Sequence, residues 1–215
     1  GLHQQIADDG TYAQHSLNYH RLMLELALWV KQVGAKEGLL FSATMQQRLA
    51  AATRWTLAQM DPVSGWLPNL GHNDGAYILP LAGGGFADYR PVAQAASRAF
   101  LGQPFLPAGP WDEMSLWLGD LNPDERRAHT ITLEPLTHQI LKNGAGWASL
   151  RAAQYTSRPG QADLLHVDIW QRGEAVTLDA GTFQYNAAPP WENALAGSTV
   201  HNTVTIEHQD QMRRA

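Results

Sequence analysis

Carboxylate and imidazole side chains are concentrated in the last third of the chain, where polar and apolar residues alternate as in a β-sheet. Asp163, His166, Asp168, Asp179 and His201 lie within 39 residues. Adjacent strands can present such side chains on one face, and histidine with aspartate can bind a divalent metal. Asp179 and His201 are the best candidates for ligands, although each could instead be a buried, hydrogen-bonded polar residue.

A second reactive group precedes a strongly apolar segment near the amino terminus. Tyr19, His20 and Arg21 are predicted to lie in the first turn of a buried helix that runs from Leu22 to Val33. The N–H groups and the dipole of a helix start favour negative charge, so the phenolate of Tyr19 should form more easily there. Such a tyrosine suits proton transfer, but the position also fits a tyrosine that is only packed and hydrogen-bonded.

The loop PNLGHNDGA, residues 68–76, gathers further polar side chains among glycines. Asn69, His72, Asn73 and Asp74 could be ordinary turn residues, since Asn and Asp favour turns. The alternative is a polar rim that binds the hydroxyl or carboxylate groups of a substrate. Long loops of this kind in a compact domain are often functional.

Composition narrows the classes of function. The chain has 44% hydrophobic and 16% charged residues, which is typical of a globular protein, and no cysteine for a thiolate metal site. Its net charge of −5 and scattered basic residues argue against a nucleic-acid partner. It has no apolar run long enough for a membrane span. Because Gly1-Leu2-His3 is not a natural start, we expect a fragment of a longer protein.

The amino-terminal part is predicted to be helical. Ser16 or Asn18 should cap the first long helix and Gly34 should end it. The other predicted helices run from Ser42 or Thr44 to Met60, from Pro91 to Leu101, and from Glu113 to Leu118. In the helix that ends at Met60, the residues predicted to face inward are Leu49, Ala52, Thr53 and Leu57.

A change of period after Asn122-Pro123 divides the chain into a helical domain, residues 1–122, and an antiparallel β domain, residues 123–215. One predicted strand places His166, Asp168 and Trp170 on one face, and Gln171 to Glu174 is predicted to form a hairpin turn. The predicted strands are Thr137–Leu141, Trp147–Tyr155, Leu164–Trp170, Ala175–Leu178 and Thr203–Ile206.

Five segments in order resemble the heparinase II/III-like family of polysaccharide lyases, which includes relatives that act on alginate. The segments are DGTYAQHSLNYHR, PNLGHNDGAYILPLA, RPGQADLLHVDIW, LDAGTFQYN and HNTVTIEHQDQM. The resemblance implies an α+β, multidomain fold: the last part of an incomplete (α/α) toroid, followed by an antiparallel β-sandwich. It also implies a periplasmic or secreted protein.

The family reaction is β-elimination at a uronic acid within an anionic polysaccharide. By resemblance, Tyr19 matches the catalytic general acid or base. The residues expected to line the substrate cleft are Asn18, His20, Arg21, Asn69, Asn73 and Asp74. The residues that neutralise the sugar carboxylate in the family would precede residue 1.

The resemblance further implies a structural zinc ion, with Asp179 and His201 matching two of its ligands. Gln161 stands where family members usually carry a third histidine, and Pro159 where some carry another. His166 could take the place of that third ligand. Because an amide is a poor zinc ligand, Gln161 favours an alternative function: a non-catalytic or altered relative that binds or processes glycans in cell-surface polysaccharide assembly.

A glycoside hydrolase is a third possibility and would need two facing carboxylates. Asp74 with Asp112 or Glu113 is conceivable, but no spacing selects such a pair. The chain has no serine nucleophile elbow, phosphate-binding loop or dinucleotide glycine motif.

Overall fold

The structure of the chain is a computed structural model that describes residues 1–61, 63–120, 131, 138–153, 155 and 160–212. Within these residues the chain is an α+β protein, in which helices come first and a four-stranded antiparallel sheet follows. The predicted order of helical and β parts is therefore confirmed. The predicted boundary at residues 122 and 123 lies outside the described residues.

The helical part is built mainly from two long helices and one shorter helix. The α-helices in the described residues are α1 (Leu2–Gln5), α2 (Leu17–Lys36), α3 (Ala43–Gln59), α4 (Arg90–Ala96) and α5 (Glu113–Trp117). A π-helical turn, Ser97–Leu101, continues α4, and a 3-10 turn, Pro110–Asp112, precedes α5. Ser16 and Ser42 cap α2 and α3 through their side-chain oxygens, as the sequence predicts.

Helix α2 differs from its prediction at its carboxyl end. It passes through Gly34 to Lys36, because the N–H of Glu37 still bonds back to the carbonyls of Val33 and Gly34. The expected burial on most sides is also wrong. An apolar strip on this helix is about half exposed, because the packing of α3 and α4 leaves one side uncovered. The strip consists of Leu26, Trp29, Val30 and Val33.

The core of the helical part lies between α2, α3 and α4. Leu24 and Leu28 of α2 share one buried apolar cluster with Leu49 and Leu57 of α3. Val92 of α4 belongs to the same cluster. The four residues of α3 that were predicted to face inward are all buried. This packing holds the first turn of α2 in a defined place, which matters for the site described below.

The sheet has the order β1-β2-β3-β4, and each neighbouring pair is antiparallel. Its strands are β1 (His138–Asn143), β2 (Gly146–Arg151), β3 (Val167–Gln171) and β4 (Glu174–Thr177). The predicted hairpin turn joins β3 to β4. Arg172 and Gly173 both have positive φ there, 55° and 84°, which matches the right-handed twist of a two-residue hairpin.

The predicted face that carries His166, Asp168 and Trp170 is the buried one. Trp170 stacks on Trp147 of β2, with ring centroids 5.4 Å apart. Trp147 Nε1 donates to Asp61 Oδ2 at 2.8 Å, just beyond the end of α3. The edge of Trp66 meets the ring of Trp170. The sheet is therefore docked on the helical part through aromatic side chains.

The strand predicted at Thr203–Ile206 does not form. Ile206 makes only an isolated bridge with Gln209, across a turn in which Glu207 and His208 have positive φ. Pro159, noted in the sequence, lies outside the described residues. In the part of the chain that the structure describes, no helix combines the length and apolarity needed to cross a membrane.

Candidate functional site

The first turn of α2 is joined to the loop of residues 68–76. Ser16 Oγ accepts from the N–H of Tyr19 and also donates to the carbonyl of His72. The N–H of Leu17 bonds to the carbonyl of Leu70. Gly71 permits this approach, since a Cβ there would lie 2.1 Å from the carbonyl oxygen of His15. The two polar segments singled out in the sequence therefore form one site.

The hydroxyl of Tyr19 lies at the centre of this site. It donates to Asp74 Oδ2 at 2.9 Å and lies 3.0 Å from the hydroxyl of Tyr185. Burial raises the pKa of Tyr19, and its contacts with Tyr185 and the Asp74 carboxylate raise it further. The sequence argument from the helix start therefore gave the wrong direction, because burial and the contacts with Tyr185 and Asp74 outweigh the effect of the helix dipole on the pKa of Tyr19.

His20 and Arg21 point into the interior instead of lining an open surface. His20 is 1% exposed, stacks on Trp55 and bonds through Nε2 to the carbonyl of Ala52. Burial lowers its pKa to about 4. Arg21 is equally buried, and its guanidinium donates to the carbonyl of Phe86. Neither side chain reaches solvent, so their expected role as substrate contacts has no support in this geometry.

The Arg21 guanidinium also lies over aromatic faces, between 4.2 and 4.6 Å from the ring centroids of Tyr77, Phe86 and Tyr89. Its Nη2 donates to Asn18 Oδ1 at 2.8 Å. The amide of buried Asn18 in turn donates to Asp74 Oδ1 at 3.2 Å. Arg21 thus orients Asn18, and Asn18 orients the carboxylate that holds Tyr19.

Asn69 and Asn73 lie on the other side of the loop and are both half-buried. Asn73 Nδ2 donates to Asn69 Oδ1 at 2.8 Å, and the N–H of Asn73 bonds to Thr182 Oγ1. Asp74 is exposed next to them. The structure therefore brings Tyr19, Asp74 and these two amides into one neighbourhood, as the polar-rim interpretation of the loop expected.

A second cluster lies on the sheet side, where His166, Asp179 and His201 are buried with their possible ligand atoms within 4.8 Å of one another. His201 Nδ1 lies 3.2 Å from Asp179 Oδ2, and His166 Nδ1 lies 3.7 Å from the same oxygen. Asp179 Oδ2 and both ring nitrogens of His201 lack a hydrogen-bond partner within the described residues. Two imidazoles and a carboxylate with buried, unsatisfied atoms fit a zinc ion.

Gln161 is not among the three residues of this cluster, which consists of two imidazoles and a carboxylate, and its Oε1 is buried without a hydrogen-bond partner within the described residues. The whole residue is buried, and its Nε2 donates to the carbonyl of Gly181 at 2.9 Å. His166 completes the group instead, because the β3 face turns it inward beside Asp168, with His166 Nε2 3.4 Å from Asp168 Oδ1. The alternation of residues 165 to 170 could have identified this histidine from the sequence.

Asp163 has a different role from the one suggested by its place in the sequence cluster. It is fully buried and pairs with Arg151, with Arg151 Nη1 3.0 Å from Asp163 Oδ2. Tyr155 donates to its other oxygen at 2.7 Å. The guanidinium also donates to the carbonyl of His15, next to the start of α2. Asp163 therefore anchors the sheet part to the helical part.

One short segment, residues 179–185, links the two clusters. It begins at Asp179, whose Oδ1 accepts from the N–H of Gly181 at 2.7 Å. Gly181 packs so closely on Asn69 that a Cβ would lie 2.3 Å from Asn69 Nδ2. The segment ends at Tyr185, which contacts Tyr19 and whose ring centroid lies 5.2 Å from that of His72. Sequence reasoning missed Tyr185, although it stands within the LDAGTFQYN motif.

Comparison with known proteins gives two findings. Residues 137–215 match the family described as Heparinase II/III-like, C-terminal. The fold is similar to a crystal structure of the heparan sulfate lyase HepC from Pedobacter heparinus, with a TM-score of 0.64 and 16% identity over 97% of this chain and 32% of that chain. A mutant of the same lyase gives a TM-score of 0.63 and 17% identity, over 96% and 31%.

The chain thus spans about a third of the length of these solved structures. No curated protein matched it. The solved structures share the α+β fold over nearly all of this chain. Together with the family match they support the resemblance indicated by the sequence motifs: residues 137–215 match the C-terminal region of the heparinase II/III-like family.

Proposed function

We propose that this chain is part of a polysaccharide lyase that cleaves a uronic-acid-containing polysaccharide by β-elimination, with Tyr19 as the general acid. The observation that carries the proposal is the hydroxyl of Tyr19, held between Asp74 and Tyr185 with its pKa raised. A hydroxyl that keeps its proton at neutral pH and is held in one place suits proton donation to a leaving group. The family match of the sheet part supports the reaction class.

In β-elimination the carbon next to the uronate carboxylate loses its proton to a general base of the full-length protein. The electron pair of that C–H bond forms a carbon–carbon double bond, the bond to the glycosidic oxygen breaks, and that oxygen leaves with a proton from a general acid. No water is added, and the sugar ring left behind is unsaturated. Tyr19 supplies the proton of the departing oxygen. The raised pKa of Tyr19 disfavours the other role open to it, that of the base, because a base would have to start as the phenolate.

Asn69, Asn73 and Asp74 are the residues that we propose as substrate contacts. The two asparagines are half-buried and Asp74 is exposed, so all three can meet a ligand in the loop beside Tyr19. Amide groups can bond to both hydroxyl and carboxylate oxygens. Asn18 and Arg21 act behind them, since they are buried and hold the Asp74 carboxylate. His20 packs below and stabilises the helix start.

We propose that His166, Asp179 and His201 hold a zinc ion with a structural role. Such an ion would neutralise the buried Asp179 carboxylate and satisfy ring nitrogens that lack partners in the described residues. It would also tie β3 to the segment 179–185 and thereby to Tyr185. Gln161 supports that segment through Gly181 and needs no place among the ligands.

The finer architecture belongs to the same proposal. The helical part would be the end of an incomplete (α/α) toroid, and the sheet part the start of an antiparallel β-sandwich. The partner would be an anionic polysaccharide, and the full-length protein would work in the periplasm or outside the cell. Heparan sulfate, the substrate named for the solved lyase, is the first polysaccharide to test.

The alternative of a non-catalytic glycan-processing relative rested on Gln161 at a ligand position. That argument weakens because His166, Asp179 and His201 already form a buried group of three possible ligands. The hydrolase alternative also lacks support. The Asp112 carboxylate accepts from Gln94 and Arg98 in the helical part, whereas the Asp74 carboxylate accepts from Asn18 and Tyr19.

The test uses the full-length protein with Tyr19→Phe, and Tyr12→Phe as the matched control. Activity is followed by the ultraviolet absorbance of unsaturated uronate, on heparan sulfate and a panel of other uronate polysaccharides. Tyr19→Phe should abolish product formation, while Tyr12→Phe retains it. Undiminished activity of Tyr19→Phe would remove the assigned role. A wild-type protein that cleaves no polysaccharide of the panel would favour the non-catalytic alternative.

A further inference from the structure

Two large aromatic side chains are exposed on the part of the chain around Tyr185, the residue that contacts Tyr19. Phe183 is 63% exposed and Trp191 is 60% exposed. Their rings contact each other edge to face, with centroids 6.3 Å apart and an angle of 69° between the planes. Two exposed aromatic rings in contact with each other leave apolar surface in water, which makes the pair a candidate binding surface.

The pair is held by the same loop that carries Tyr185. Phe183 stands two positions before Tyr185, inside the segment of residues 179–185 that begins at the buried cluster of His166, Asp179 and His201. After Tyr185 the chain folds back, since Asn193 Nδ2 donates to the carbonyl of Tyr185 and the N–H of Trp191 bonds to the carbonyl of Ala188. The aromatic pair is therefore continuous with the residues around the acid.

The chemistry of this surface selects a class of ligand. One face of a pyranose ring presents C–H groups, which pack on an aromatic ring as other apolar groups do. The hydroxyl and carboxylate groups at the edge of the sugar can stay in water, because an open platform does not enclose them. An exposed aromatic ring on the same loop as a contact of the proposed proton donor suits a sugar unit near the bond that is cleaved.

We propose that Phe183 and Trp191 form a sugar-stacking subsite, which binds a pyranose unit of a uronate polysaccharide next to the unit that reacts at Tyr19. The inference rests on the proposed function for the identity of the saccharide. It goes beyond that function by adding a binding surface that sets where a long chain lies. Its expected contribution is to affinity for the polymer.

The experiment measures binding in the full-length protein that carries Tyr19→Phe, so that the saccharide stays intact. Trp191→Ala and Phe183→Ala are compared with Trp117→Ala, which removes a tryptophan 68% exposed on α5. The probes are heparan sulfate, chondroitin, hyaluronan and alginate, each set in a native affinity gel. For at least one probe, Trp191→Ala and Phe183→Ala should raise Kd about three- to tenfold, while Trp117→Ala leaves it unchanged.

Equal retardation of the parent and Trp191→Ala by every probe, including no retardation at all, would overturn the subsite. So would a lower Tm with unchanged binding, which would identify the pair as a packing surface within the longer protein. Binding that depends on Trp191 without any cleavage by the protein with native Tyr19 would leave the subsite standing and remove the lyase. Cleavage by the protein with native Tyr19, with a KM that Trp191→Ala leaves unchanged, would support the lyase and remove the subsite.

Discussion

The hydroxyl oxygens of Tyr19 and Tyr185 lie 3.0 Å apart, although 166 positions separate the two residues in the chain. Tyr19 belongs to the first turn of α2, and Tyr185 to the segment that leaves the buried cluster of His166, Asp179 and His201. The contact therefore joins the helical part to the sheet part. A proton donor held in this way depends on the docking of both parts.

Loss of the Tyr185 hydroxyl should lower kcat and leave KM nearly unchanged. Tyr185→Phe removes one of the two partners that hold the Tyr19 hydroxyl, at a cost of about one hydrogen bond, or roughly tenfold in rate. Steady-state kinetics of the full-length protein on its polysaccharide measures this effect. Tyr12→Phe is the control, and an unchanged kcat in Tyr185→Phe would mean that Tyr19 needs no second partner.

Removal of the Asp74 charge should move the alkaline limb of the pH–rate profile to lower pH. The carboxylate raises the pKa of Tyr19 by disfavouring the phenolate, so Asp74→Asn should lower that pKa. A general acid works only below its pKa, and the loss of rate then begins at a lower pH. The profile of kcat/KM for Asp74→Asn against the parent provides the measurement. A shift toward higher pH would contradict the assignment of Tyr19 as the acid.

Buried His20 should make the protein less stable as the pH falls. Its pKa is lowered to about 4 in the folded state, from 6.5 in the unfolded chain. Between these values the unfolded state binds a proton that the folded state does not, so stability is lost as the pH drops from 6.5 to about 4. The full loss is about 3 kcal/mol.

Urea unfolding across this range checks the effect of His20. The variant His20→Gln keeps an N–H donor and should flatten the dependence on pH, although its stability at neutral pH will be lower. The exposed His208 supplies the control, since His208→Asn should leave the slope as it is. An equally steep slope in His20→Gln would place the pH-sensitive group elsewhere.

Zinc content should depend on His166 and not on Gln161. In the full-length protein, His166→Ala and His201→Ala each remove one of three donors and should reduce bound zinc well below one equivalent, as measured by plasma mass spectrometry. Gln161→Ala should retain the metal. A chelator should lower the Tm of the parent, because metal bound only to the folded state stabilises it. Loss of zinc in Gln161→Ala alone would restore Gln161 as a ligand.

The buried pair of Arg151 and Asp163 should matter far more for stability than an exposed ion pair. Asp163→Asn leaves a buried guanidinium without its counter-charge, which should cost about 3–5 kcal/mol in unfolding free energy. Asp8→Asn breaks the pair with Arg48 at the surface and should have little effect. Denaturant unfolding of both variants compares them directly. Equal stabilities would show that solvent reaches Arg151.

Local patterns in the sequence allowed much of the fold to be predicted. Ser16 and Ser42 are each one of two predicted cap residues for their helices, and the predicted hairpin turn at Gln171 to Glu174 forms around Arg172-Gly173. These features depend on neighbouring residues only. The strand at Thr203–Ile206 was predicted from the same kind of pattern and was wrong, because its alternation met no partner strand among the described residues.

The candidate site was predictable only in part. The sequence supplied Tyr19 and Asp74 as members of two polar segments, and Asp179 and His201 as members of an alternating one. It gave no indication that Asp74 accepts from Tyr19, or that His20 points inward. Both depend on the helix orientation that the packing of α2 on α3 imposes.

The sequence by itself determined the order of the helical and β parts, the family resemblance and the chemical types of the candidate site residues, because propensity and motif order are properties of the chain. Tertiary structure decided the direction of the pKa of Tyr19, the buried grouping of His166 with Asp179 and His201, and the contact of Tyr185 with Tyr19. These outcomes depend on distances of a few ångströms between residues far apart in sequence. Burial and nearby charges shift a pKa over such distances, and only the docked fold sets those distances.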